Sequence, residues 1–89
     1  DLGNRTLLPG FIDMHVHLSS VPEIGGYNYL QYSDAVWTVA AAANAKKMLD
    51  AGFTTIRNVG SEFYADIGVR DAVGLGIARG PRVIGAGYA

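Results

Sequence analysis

Pro9-Gly10-Phe11-Ile12-Asp13-Met14-His15-Val16-His17-Leu18 contains both histidines of the chain, two positions apart inside an apolar run. The run reads as a buried strand. A strand sends alternate side chains to opposite faces, so His15 and His17 point the same way, as two ligands of one metal ion must. Split by parity, Ile12, Met14, Val16 and Leu18 are all apolar, and that row is expected to pack on a hydrophobic layer. Phe11, Asp13, His15 and His17 form the other row, which turns polar toward its C-terminal end. In a parallel α/β barrel, functional side chains gather at the C-terminal ends of the strands while helices cover the outside. Pro9 and Gly10 suit the start of such a strand, because proline is tolerated at a strand's first residue. H-x-H alone is a weak signal, since an exposed edge strand could carry two solvated histidines. The wholly aliphatic opposite row and the Gly-containing loop that follows favour a metal site.

The 89-residue chain is 49% hydrophobic, with a formal net charge of -1 and no cysteine. Without a basic excess there is no electrostatic footprint for nucleic acid. No apolar run reaches the roughly 20 residues needed to cross a bilayer, and no stretch has a signal-peptide pattern. The lack of cysteine removes disulfides and thiolate ligands, leaving His, Asp and Glu as metal donors. A complete (β/α)₈ barrel usually takes at least about 200 residues, so this length supplies two or three of its eight units.

Outward from the histidine strand, residues 19–32 are rich in turn formers and tyrosine and read as a long loop. Tyr27, Tyr29 and Tyr32 could wall a substrate pocket, but the simpler expectation is that they pack the loop onto the body. Ser33 and Asp34 are good helix-start residues, and a helix is expected through Asp50 with Gly52 placed to end it. Trp37, Ala41, Ala45, Met48 and Leu49 recur on one face, which points to Trp37 as a packing residue.

Residues 53–60 are β-branched and short, a second strand whose polar Arg57 and Asn58 gather at its C-terminal end. Either could touch substrate or orient a ligand, and Arg57 could instead pair with a carboxylate on the barrel rim. A weaker helix is expected from Asp66 to Ile77, interrupted by Gly68, Gly74 and Gly76, and a third strand over Pro81–Ala86. This alternation predicts parallel strands joined by right-handed crossovers. Gly74-Leu75-Gly76-Ile77-Ala78-Arg79-Gly80 has the wrong glycine spacing for a dinucleotide loop and ends a helix where that loop must open one.

Leu8-Pro9-Gly10-Phe11-Ile12-Asp13-Met14-His15-Val16-His17 resembles the first barrel strand of the amidohydrolase superfamily, whose hallmark is P-G-x-I-D-x-H-x-H. Ala51-Gly52-Phe53-Thr54-Thr55-Ile56-Arg57-Asn58-Val59-Gly60 looks like the second strand of that superfamily, and Gly80-Pro81-Arg82-Val83-Ile84 like the third. The subgroup it looks most like holds Xaa-Pro dipeptidase-like and imidazolonepropionase-like enzymes. Many relatives carry aspartate where this chain has Asn58.

The resemblance implies an α/β fold, the first βαβαβ units of a (β/α)₈ TIM barrel, with residues 1–8 as the tail of a small N-terminal β domain and residues 9–89 as the first part of the barrel. It implies that His15 and His17 bind the more buried metal, usually zinc, in a site of two divalent ions. The remaining ligands and the general acid or base would come from later strands, so no catalytic residue is expected within these residues. It further implies hydrolysis of an amide or peptide C–N bond, of dipeptidase or N-acyl amino acid amidase type, by a metal-activated hydroxide. Asp13, two residues deeper, is expected to brace the strand rather than ligate. A dipeptide or other small-molecule substrate and a homo-oligomer are expected, and the 89 residues alone are expected to be inactive and marginally folded, with unpaired sheet edges. Two rivals share the H-x-H pair: a mononuclear deaminase of the same superfamily, and a non-catalytic α/β binding module with structural histidines.

Overall fold

A computed structural model describes residues 1–88. Strands and helices alternate as β1 (Phe11–Val16), α1 (Asp34–Asp50), β2 (Phe53–Asn58), α2 (Ala65–Gly74) and β3 (Arg82–Ile84). The three strands lie side by side in sequence order and every pairing is parallel. This is the βαβαβ succession expected of the opening strands of an α/β barrel.

Helix α1 starts at an extended Ser33 whose side chain makes no capping hydrogen bond, so its start leans on Asp34 against the helix dipole. Trp37, Ala41 and Ala45 are its buried residues, spaced by four, and Met48 packs beside them. The expected face is thus the one that faces inward. Small alanines let the helix lie close to the sheet. Within the loop before it, Gly26–Gln31 forms a 3₁₀ helix with no buried residue. Tyr32 packs edge-on to Trp37 at 6.2 Å, as the packing reading expects, whereas Tyr27 is 88% exposed.

Helix α2 stops at Gly74, three residues before the expected end, and the Ile77 and Ala78 amides both close back onto the Ala72 carbonyl. The glycines at 74 and 76 weaken further helix by about 1 kcal/mol each. β3 is likewise shorter than expected, three residues against six.

The core lies between the helices and one face of the sheet: Leu18, Ala41, Ala45, Ile56, Ala65, Val69 and Val83. Ile56 and Val83 face each other in the β2–β3 register, and burying each contributes about 1.5–3 kcal/mol. Their neighbours Arg57, Arg82 and Ile84 are exposed on the opposite face.

The expected parity of β1 holds only in its second half. Val16 and Leu18 join the core, but Ile12 and Met14 are 61% and 46% exposed. The register explains this: Asp13 pairs with Ile56 and Val16 with Asn58, so three steps along β1 match two along β2. Such an irregularity turns the residues before it relative to those after it.

Candidate metal centre

His15 lies near the end of β1 and His17 just beyond it. Because Val16 and Leu18 face the core, the alternating imidazoles emerge on the opposite, open face of the sheet. Their ring centroids are 5.5 Å apart with planes at 74°, and both residues are exposed. The Met14–His15 peptide that leads into the pair is held from two sides. Asp13 accepts the His15 amide at 3.0 Å through Oδ1, and Arg57 donates through Nε to the Met14 carbonyl at 2.7 Å. Arg57 is therefore a strut between β2 and β1 through a backbone oxygen, a structural contact rather than an ion pair among the described residues.

His17 Nδ1 lies 3.0 Å from the Gly60 carbonyl oxygen. A carbonyl can only accept, so Nδ1 is the donor in this hydrogen bond, which leaves Nε2 as the nitrogen a metal can take. Metal-binding histidines ordinarily have this arrangement, the second ring nitrogen donating to a carbonyl or carboxylate. The His15 ring has no hydrogen-bond partner among the described residues, leaving it free to rotate toward a shared cation. Among those residues no third His, Asp or Glu joins the pair. Two imidazoles this close, one with Nδ1 committed to a carbonyl, are donors of the kind a divalent transition metal takes.

Asn58 does not reach this face. It is fully buried on the helix side of β2, one alternation step from Arg57. Its Oδ1 accepts the Leu18 amide at 2.8 Å, and its Nδ2 donates to Asp66 Oδ2 at 3.1 Å. Here the Asn58 side chain is engaged by the chain's own Leu18 amide and Asp66 carboxylate, away from the open face.

Sequence reasoning missed Asp66. Its carboxylate is fully buried at the first turn of α2 and accepts from four groups: Ser61 Oγ at 3.2 Å, Asn58 Nδ2 at 3.1 Å, the Ile67 amide at 2.9 Å and the Gly87 amide at 3.0 Å. The Asp66 amide in turn donates to Ser61 Oγ at 3.1 Å. An aspartate opening a helix ordinarily reads as a solvated dipole partner, and partners at positions 58 and 87 leave no local signal. A second link joins the loops after β1 and β2, where Ser19 Oγ donates to Glu62 Oε2. Nearby, Phe63 and Tyr64 both adopt left-handed backbone, φ 56° and 55°, and their rings gather around Tyr88 at 6.4 and 5.7 Å.

Comparison with known proteins agrees with this architecture. The Amidohydrolase family matches residues 6–89. A Xaa-Pro dipeptidase solved with methionine bound in its active site is 31% identical, covering 91% of this chain and 20% of its own, with a TM-score of 0.77. A prolidase complexed with N-methylphosphonate-L-proline is 31% identical over 100% of this chain and 21% of its own, with a TM-score of 0.80. Ochratoxinase of A. niger is 25% identical over 88% of this chain and 18% of its own, with a TM-score of 0.70. The chain thus spans about a fifth of the length of these solved structures. Curated proteins give no match.

Proposed function

The chain belongs to the amidohydrolase family, and on that premise we propose that it supplies the first strands of a metal-dependent hydrolase that cleaves an amide or peptide C–N bond, of dipeptidase or N-acyl amino acid amidase type. Residues 1–8 then form the tail of a small β domain, and residues 9–89 the first part of the barrel. The observation that carries this reading is the imidazole pair at the C-terminal edge of a parallel sheet, with the His17 Nδ1 proton committed to Gly60. Such edges are where α/β barrels place their chemistry. The prolidase and Xaa-Pro dipeptidase likeness supports peptide C–N bonds as the target.

In this proposal His15 and His17 hold zinc through ring nitrogens, His17 through Nε2. When bound, a pair of divalent ions supplies a hydroxide near neutral pH and polarises the scissile carbonyl. The chain's own contribution is orientation: Gly60 sets the His17 tautomer, while Asp13 and Arg57 hold the strand that carries both rings. The 89 residues alone are then inactive, since they provide two ligands, and the whole enzyme is a homo-oligomer, a state that sedimentation reads directly.

Metal analysis with product analysis on the complete enzyme tests the reading. About two zinc equivalents per chain, lost in His15→Ala together with hydrolysis of Xaa-Pro dipeptides or N-acyl amino acids, is the expected result. Ammonia release from nucleobases in place of amide hydrolysis would transfer the assignment to a deaminase. Absence of metal, with folding unchanged in His15→Ala, would leave only a binding module.

A further inference from the structure

We propose that Asp66 and Asn58 are positioning residues of the metal centre, holding the peptide that follows His17 and the carbonyl that orients its ring. The inference rests on the assignment of His15 and His17 as metal ligands.

The geometry runs along two arms from one carboxylate. In the first, Asp66 Oδ2 accepts from Asn58 Nδ2, and Asn58 Oδ1 accepts the amide of Leu18, the residue bonded directly to His17. In the second, Asp66 Oδ1 accepts from Ser61 Oγ, and Ser61 adjoins Gly60, whose carbonyl accepts the hydrogen bond from His17 Nδ1. One arm therefore places the His17 backbone and the other places the acceptor that selects its tautomer. Both arms are buried: Asn58 and Asp66 are 0% exposed and Ser61 is 2% exposed. In so dry a setting, hydrogen bonds are electrostatically stronger than in water, and breaking one leaves a donor or acceptor unsatisfied.

The end of β3 is shaped around the same carboxylate. A Cβ on Gly85 would stand 3.0 Å from Asp66 Oδ2, tighter than ordinary contact, so the backbone here passes close to the carboxylate. The Gly87 amide then donates to Oδ2. The exits of all three strands thus converge on Asp66, on the core side of the sheet, while the imidazoles occupy the open side. A network that served folding alone has no need to meet the chain at both the amide after His17 and the residue after its ring acceptor.

The test is zinc affinity of the complete enzyme, measured by chelator competition on folded protein, with the visible spectrum of the cobalt-substituted enzyme as a second readout. Asn58→Ala is expected to weaken zinc binding by about 10- to 100-fold, as loss of outer support does in other metal sites, and to shift the cobalt bands. Ser61→Ala, which cuts the second arm and removes only one oxygen, is expected to weaken binding in the same direction and decides the matter if Asn58→Ala does not fold. Val73→Ala, a truncation against the core two turns along α2 from Asp66, is expected to lower the melting temperature and leave zinc affinity unchanged. Unchanged affinity and spectra in the folded Asn58→Ala and Ser61→Ala variants, or equal weakening in Val73→Ala, would overturn the proposal. Failure of the parent reading looks different: zinc content would then be indifferent to His15→Ala.

Discussion

The His17 imidazole donates through Nδ1 to the Gly60 carbonyl at 3.0 Å, across 43 residues of sequence, and so enters any metal site with one tautomer already chosen. A ligand that binds only the folded state raises stability by RT ln(1 + [L]/Kd), about 2.7 kcal/mol at a hundredfold excess over Kd. Free zinc at that excess is expected to raise the melting temperature of the complete enzyme, a chelator to reverse the rise, and His17→Ala to abolish it. A zinc-dependent shift that survives in His17→Ala would detach the ring from the metal.

Gly10 makes the entry of β1 possible in a way its sequence context does not reveal. A Cβ there would lie 2.6 Å from Thr54 Cβ, inside van der Waals contact with an atom fixed to the β2 backbone. Forcing one methyl into such a contact costs typically about 1–3 kcal/mol. Gly10→Ala is expected to destabilise by that amount, and Thr54→Gly to recover part of it in a double-mutant cycle with a coupling of at least about 0.5 kcal/mol. Strict additivity in denaturant unfolding would show that the strands separate freely there.

Local periodicity was enough to read the helix face and the strand order. The four-residue spacing of Trp37, Ala41 and Ala45 is a property of one helix, and all three are buried as expected. The closeness of His15 and His17 was also legible from their two-residue spacing, and their ring centroids lie 5.5 Å apart. What local pattern could not reveal is how β1 lies on β2. The irregular register between Asp13 and Val16 exposes Ile12 and Met14, and it exists only in the pairing. Asn58 and Asp66 were obscure for a related reason: although Asp66 finds Asn58, Ser61 and Ile67 close in sequence, the Leu18 and Gly87 amides that complete the network come from the ends of other strands.

The Lys46–Asp50 pair offers a check on surface electrostatics in α1. The Lys46 hydrogen bond, then its charge, lowers the Asp50 carboxyl below its ordinary 3.8. A carboxyl lowered in the folded state adds stability that is complete above that ordinary value and disappears as pH falls through the folded one. Asp50 is exposed and sits at the C-terminal end of the helix, where a negative charge opposes the dipole, so the effect is small. Asp50→Asn is expected to have a slightly lower denaturation midpoint than the parent at pH 7 in low salt. That difference should close below pH 3.8 and in high salt. A gap that widens on acidification would contradict the sign.

Phe63 and Tyr64 place two successive side chains in left-handed backbone at the start of α2, a conformation that costs roughly 1–2 kcal/mol per L-residue and nothing comparable for glycine. Tyr64 also packs on Tyr88 at 5.7 Å, so truncating it mixes two effects of opposite sign. Comparing Tyr64→Ala with Tyr64→Gly separates them, because both lose the ring and only alanine keeps the strain. Tyr64→Gly is expected to be the more stable of the two by about 1 kcal/mol, the reverse of the order found inside a helix, where alanine is favoured by a similar margin. Thermal melts of the two variants decide the matter. Alanine matching or exceeding glycine would mean that the chain leaves the left-handed region at Tyr64, releasing the aromatic cluster that the turn holds against Tyr88.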